Sequence, residues 1–248
     1  MAIVKKFTVG VQPFAKMFRI SAQGGAAVDA VLRLRAKSLT DEFFDEVAVD
    51  ADRKTFRVSN SGASNVLIVH EESITFTKDY YDESGSAFDY SKFLAEFKTI
   101  WSAVNKVLAI YDIRRVGIAG EYRYDVDGKN PSSWLREKFV RIAPGKNSLT
   151  EKLVLRFEER EIAADGKGPD PKKSDFINTI YSYYDSVTDS HHSEAGFVST
   201  TLDVQRYFTP VLNGDVGDEI QKLYKYYSQA ERALDSQLKS LGAANGKK

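Results

Sequence analysis

Residues 113–134 read IRRVGIAGEYRYDVDGKNPSSW, and the fold turns on whether this stretch is a phosphate cradle, a catalytic cleft or one strand of a sheet. From Arg115 to Asp125 the side chains alternate. Val116, Ile118, Tyr122 and Tyr124 fall on one side, and Arg115, Glu121, Arg123 and Asp125 on the other. A period of two belongs to a strand, whose successive Cβ atoms point to opposite faces. The glycines are therefore not a dinucleotide loop, which needs a helix directly after it. Gly117, Ala119 and Gly120 carry almost no side chain, so another backbone, a flat ligand or, most often, a packing helix can approach closely there. DVDGKN lacks the full calcium-loop spacing and reads as a strand-to-helix turn. Asn130 as a cap and Pro131 at the first helical position then open a short helix that APG stops.

Two more segments divide in the same way. Leu149 to Ile162 sets Leu153, Leu155 and Phe157 against Arg156, Glu158 and Arg160. FVSTTLDVQRYF sets Val198, Leu202, Val204 and Phe208 against Ser199, Thr201, Asp203 and Gln205. Between them, AADGKGPDPKK predicts a long mobile loop, and DFINTIYSYYDSV, ambiguous in period, is read as a strand from its Ile, Tyr and Val content. Upstream, strands are predicted at Phe7 to Ile20, Val28 to Arg35, Thr55 to Ser59, Val66 to His70 and Ser73 to Thr77, with a turn at VSNSGASN and a helical alternative for SLTDEFFDEV.

Helical period appears twice. Tyr90, Phe93, Leu94, Phe97, Trp101, Val104, Leu108 and Tyr111 recur every three or four residues behind Asp89, a capping residue. Ile220, Leu223, Tyr224, Tyr227, Leu234, Leu238 and Leu241 do so behind Asp215 or Asp218. The expected fold class is α+β: largely antiparallel or mixed sheets packed against two long amphipathic helices, with two similar halves as an open alternative. The organisation is a strand-rich half at 1–112 ending in a long helix, a second at 113–241 ending in another, and a disordered tail at 242–248.

Composition narrows the chemistry. Of 248 residues 42% are hydrophobic, enough for a core, and 35 basic residues balance 35 acidic ones, so no overall field draws the chain to nucleic acid or an anionic membrane. There is no cysteine, which excludes disulfides, thiolate nucleophiles and Cys-ligated zinc or iron–sulfur clusters. The opening MAIVKKFTVGVQPFAKMF is broken by Gln12, Pro13 and Lys16, so a soluble cytoplasmic protein without a membrane partner is expected.

The order VLIVHEESITFTKDYY, FDYSKFLAEFKTIWSAV, IRRVGIAGEYRY and FVSTTLDVQRYF, then a closing helix, resembles a sporadically distributed bacterial family of uncharacterised proteins of similar length. The matching positions are Phe97 and Trp101 on the helix, Arg115, Gly117 and Tyr122 on the next strand, and Leu202 with Asp203 on the late strand. Gln205 stands where the family has a second acid, and Gly120–Glu121 where it has bulky residues and Asn. The resemblance covers about the last three quarters of the chain. It implies a fold and a bacterial or phage setting, and no catalytic residue.

Arg115, Glu121, Arg123, Arg156, Arg160, Asp203 and Gln205 are the candidate ligand- or partner-binding residues. On neighbouring strands they form surface ion pairs worth about 0.2–1 kcal/mol each, or the arginines converge on a phosphate or carboxylate with Glu121 or Asp203 as acid or base. His191 and His192 lie in the turn TDSHHSEAG and do not have the spacing of a chelating pair, and His70 ends a strand. With no G-x-S-x-G elbow, P-loop or zincin motif, no catalytic residue, metal or cofactor is assigned. A non-enzymatic binding or assembly module is expected, with a protein partner or self-association through open sheet edges, accessory to a bacterial phage-defence or mobile-element system. The alternatives are a nucleic-acid binding or processing component using the arginine face, and a hydrolase.

Overall fold

The structure, a computed structural model, describes residues 3–36, 44–60, 64–79, 88–140, 145, 149–161, 175–187, 193–212 and 214–245. The chain runs β1 (Ile3–Pro13), α1 (Ile20–Leu32), a 3-10 turn (Arg33–Ala36), β2 (Glu46–Val49), β3 (Thr55–Asn60), β4 (Asn65–His70), β5 (Ser73–Asp79) and α2 (Tyr90–Leu108). It continues through β6 (Ile113–Asp125), α3 (Pro131–Phe139), β7 (Val154–Arg160), β8 (Phe176–Val187), β9 (Ser193–Tyr207), α4 (Val216–Ser240) and β10 (Ala244–Asn245). The protein is α+β. One antiparallel sheet runs β2-β3-β4-β5-β1-β6-β9-β8-β7, with β10 added beside β6.

The alternation in β6 is obeyed along its length: Val116, Ile118, Gly120, Tyr122 and Tyr124 are buried, and the residues between them are half-buried. Register carries that division across the sheet. Val9 lies opposite Ile118, which faces Val204. Gly10 lies opposite Gly117, which faces Gln205. One face thus carries most of the apolar side chains, with Thr200, Arg206 and Asp185 among them, and the four helices pack on it. The other face carries Thr, Gln, Arg and Asp side chains, and no described helix covers it.

The capping residues act as the sequence indicates. Asp89 Oδ1 accepts from the Lys92 N–H at 2.9 Å, Asn130 Oδ1 from Ser133 at 2.8 Å and Asp215 Oδ1 from Asp218 at 3.0 Å, each satisfying an orphan donor of a first turn. α2 stops at Leu108, because Ala109 adopts φ 50° and Asn105 Oδ1 takes the Ile110 N–H at 2.7 Å. Tyr111, expected to continue the stripe, is instead exposed.

The first third differs from expectation. The opening strand is Ile3–Pro13, not Phe7 to Ile20, and Val28 to Arg35 belongs to α1 and its 3-10 turn, not to a strand. Ile20, Gly24, Ala27, Val28 and Val31 are the buried positions, a helical spacing hidden in the sequence by small residues. Gly24 is required by packing, since a Cβ there would stand 2.1 Å from the Phe56 ring on β3. Of SLTDEFFDEV, residues 38–43 lie outside the described residues, and Glu46 and Val47 belong to β2. The predicted loop at 163–173, the centre of the turn at 61–63 and residues 188–192 of the predicted turn, His191 and His192 included, also lie outside them, while Ser193 to Gly196, expected in that turn, begin β9. In the stretch expected to be a disordered tail, Ala244 and Asn245 pair with Asp125 and Tyr124, continuing along β6 where β1, which begins opposite Arg123, leaves off.

α2 and α4 meet over the central strands. Phe7, fully buried on β1, has its ring 5.1 Å from Phe93, 4.9 Å from Tyr90 and 5.3 Å from Tyr227. Glu231 Oε1 accepts from the Tyr90 hydroxyl at 2.5 Å and from the Tyr122 hydroxyl at 2.9 Å. The Tyr122 and Tyr227 hydroxyls are bonded to each other. Burial pushes all three phenol pKa values up, so the rings remain neutral. Gly120 is what lets α4 reach β6 here, so a packing helix is the cause of this glycine.

Candidate functional site

The three alternating segments share one sheet face, with β8 inserted between β7 and β9. Gly117 and Asn178 both lie opposite Gln205, and Asn178 in turn lies opposite Arg160. A cavity of about 320 Å³ opens over this row, and four arginines, Arg114, Arg115, Arg156 and Arg160, line it against one carboxylate, Glu158. Such a surplus of guanidinium groups sets a positive local potential on a chain whose net charge is zero.

The cations are held in place by rings and by hydrogen bonds. Phe176 and Tyr207 stack 4.6 Å apart at 4°, with the Arg160 guanidinium 5.6 Å from the Phe176 centroid and that of Arg115 5.4 Å from Tyr207. Arg115 Nη1 donates to Gln205 Oε1 and to the Tyr207 hydroxyl, both at 3.0 Å, and Tyr207 donates to Gln205 Oε1 at 2.9 Å. Gln205 Nε2 donates to Asp203 Oδ2 at 2.5 Å. Arg156 pairs with Glu158 at 3.0 Å along its own strand, not across the ladder.

Asn178 is 4% exposed and its Nδ2 donates to Glu158 Oε2 at 3.2 Å, while its Oδ1 is buried with no hydrogen-bond partner. The amide cannot gain by flipping, since Glu158 is an acceptor and an amide oxygen in the place of Nδ2 would be repelled. An unmade bond of this kind costs about 1–3 kcal/mol, and a ligand N–H or O–H would complete it. Beside the cavity, sharing Arg115 and Gln205 with it, a depression of about 160 Å³ runs over Gly10, Gly117 and Ala119 between the hydroxyls of Thr8, Ser73 and Thr75. A Cβ on Gly117 would make only an ordinary contact, 3.6 Å to Gln205 Cγ, so this glycine leaves room on the open face and is not needed by a neighbouring element.

Of the seven residues singled out by sequence, Arg115, Arg156, Arg160 and Gln205 line the cavity, and Asp203 adjoins it through Gln205. Glu121 and Arg123 lie farther along β6. Glu121 hydrogen-bonds Tyr184, and the Arg123 guanidinium sits 3.6 Å over the Phe197 ring. Sequence reading missed Arg114, Phe176, Asn178 and Tyr207. β8 bears aromatic residues on both faces, which blurs its period, and Tyr207, the last residue of β9, is an aromatic on the face of Asp203 and Gln205. His70 Nδ1 accepts from the Glu72 N–H at 3.2 Å, as a residue at a strand end does. Among the described residues, no three His, Asp or Glu side chains cluster to hold a metal.

Burial pushes the Asp203 pKa up, against the lowering pull of Gln205 and of the Arg115 and Arg156 charges. The folded chain therefore holds this proton more tightly than the unfolded chain. Its contribution favours folding below the ordinary carboxylate range and is lost as pH rises through the raised value. Asp203→Asn keeps the Gln205 hydrogen bond without the charge. Its expected result is a higher melting temperature at pH 7 and a gain that shrinks toward zero below pH 4, read from thermal scans across pH.

Compared with models of known protein families the chain matches none, and no curated protein matches it either.

Proposed function

We propose that the protein is a non-enzymatic binding or assembly module whose open sheet face takes an anionic group, a carboxylate or phosphate, from its partner. The observation that carries this reading is the convergence of four arginines from β6 and β7 on one cavity. Guanidinium groups suit such oxygens because their donors form a rigid fork. Here two of them are braced by the Phe176–Tyr207 stack, so little side-chain freedom is lost on binding. The orphan Asn178 oxygen adds a demand for a donor beside the anion.

Calorimetric titration with inorganic phosphate and with a short acidic peptide tests this. Binding should weaken as salt rises, and Arg160→Ala should lower affinity about tenfold, the scale of a charge-assisted hydrogen bond. Equal affinity in wild type and variant would remove the site. Asp203→Asn, which takes a negative charge from beside the cavity, should instead tighten binding.

A nucleic-acid component using Arg115, Arg123, Arg156 and Arg160 is the second reading, supported by the convergence of three of these, Arg123 lying farther along β6. Against a long polyanion track stand Glu46, Asp79, Glu121 and Asp125, which share the open face with the arginines. Salt titration with oligonucleotides separates the two, because several phosphate contacts give a steep slope and one anion gives a shallow one. A hydrolase, the third reading, needs acids converging in a cleft, and the arginine cavity is lined by one carboxylate, Glu158. The accessory role in phage defence or mobile-element biology rests on the family resemblance. Two similar halves are supported by connectivity: β1 and β6 each lead through a helix into an antiparallel meander that returns beside them before a long helix.

A further inference from the structure

We infer that the protein forms a two-fold dimer through β7, in which two copies of residues 154–160 pair antiparallel about Phe157. β7 ends the sheet, and among the described residues it pairs only with β8. Six of its seven residues are exposed, including Val154 at 64% and Phe157 at 42%. Its sequence VLRFEER holds no Pro, which would block addition of another strand, and the charges it carries, two Arg and two Glu, are balanced.

Geometry and charge select one register. A two-fold axis perpendicular to the sheet keeps each face on its own side, so residues opposite each other must have numbers of the same parity. Centred on Phe157, the pairing sets Arg156 against the partner's Glu158, Glu158 against the partner's Arg156, and Phe157 against the partner's Phe157. The neighbouring same-parity registers set Arg156 against the partner's Arg156, or Glu158 against the partner's Glu158, and like charges directly opposite are destabilising. The centred register also covers the exposed half of Phe157, whose other side stacks on Tyr181 at 5.0 Å. Arg156, Glu158 and Arg160 line the arginine cavity as well, so the dimer brings two cavities together across the axis. The pairing does not depend on what those cavities bind.

A chain without cysteine allows a direct test. In the centred register, Phe157→Cys places one thiol opposite its own copy. Opposed Cα atoms in antiparallel pairs lie about 4.5–5.5 Å apart, within disulfide reach. Mild oxidation should cross-link this variant. Leu155→Cys and Glu159→Cys should each stay uncross-linked alone, and should link to each other when mixed. By sedimentation, Arg156→Glu and Glu158→Arg should each weaken the dimer roughly tenfold, and the double exchange should restore it. Circular dichroism confirms that each variant is folded. A wild-type chain monomeric at every concentration overturns the inference by itself. So does equal cross-linking of all three cysteine variants, or a dimer indifferent to charge reversal.

Discussion

Gly120→Ala should lower the unfolding free energy by about 3 kcal/mol, the upper range for overpacking a core. A Cβ at this position would fall 1.9 Å from the Tyr227 hydroxyl and 2.7 Å from that of Tyr122. Neither ring can swing aside, because both are buried and their hydroxyls are held in the network that ends on Glu231. Making room would push α4 off the sheet or leave phenol groups buried without partners, and each course is costly. Gly117→Ala, three residues away on the other face of the same strand, is the control. Its Cβ meets nothing closer than 3.6 Å, so the loss of unfolded-state freedom should stabilise by about 0.4–1 kcal/mol. Urea unfolding of the pair reads the difference. Two variants of similar stability would mean that α4 does not seat on Gly120.

Phe7→Ala should cost about 3–5 kcal/mol, the range for removing a buried aromatic side chain. Phe7 is fully buried on β1 beneath both long helices, touching Phe88, Tyr90 and Phe93 on one side and Tyr227 on the other. The cavity left behind is walled by rings whose positions are set by separate helices, so it cannot close by one small shift. Because domains are stable by only about 5–15 kcal/mol, the variant should keep a minor share of wild-type stability. Phe18→Ala, at a side chain 79% exposed, should change stability by less than about 0.5 kcal/mol. Comparable losses from the two would contradict the placing of the core between β1 and the helix pair.

Much of the local structure was legible because its signals are local. Alternation in β6 and β9 names their faces, and a capping Asp or Asn marks the start of α2, α3 and α4. α1 was misread because Gly24, Gly25 and the alanines around them leave little apolar contrast for a helical period to show. Its glycine makes sense only beside Phe56, which arrives from a strand more than thirty positions later.

The arginine cavity shows the same boundary. Sequence put Arg115, Arg156 and Arg160 on polar faces, since the direction of a side chain along a strand follows from backbone geometry alone. It expected them to be neutralised across the ladder, but the partner of Arg156 is on its own strand and Arg115 bonds to Gln205 and Tyr207. Which side chains meet depends on strand order and register, and these are set by contacts between residues far apart in the chain. What the amino-acid order determined by itself was two faces, one oily and one charged, and where the helices begin. That β8 stands between β7 and β9, that four arginines gather over Asn178, and that β7 is left as an edge were decided only when the whole sheet assembled.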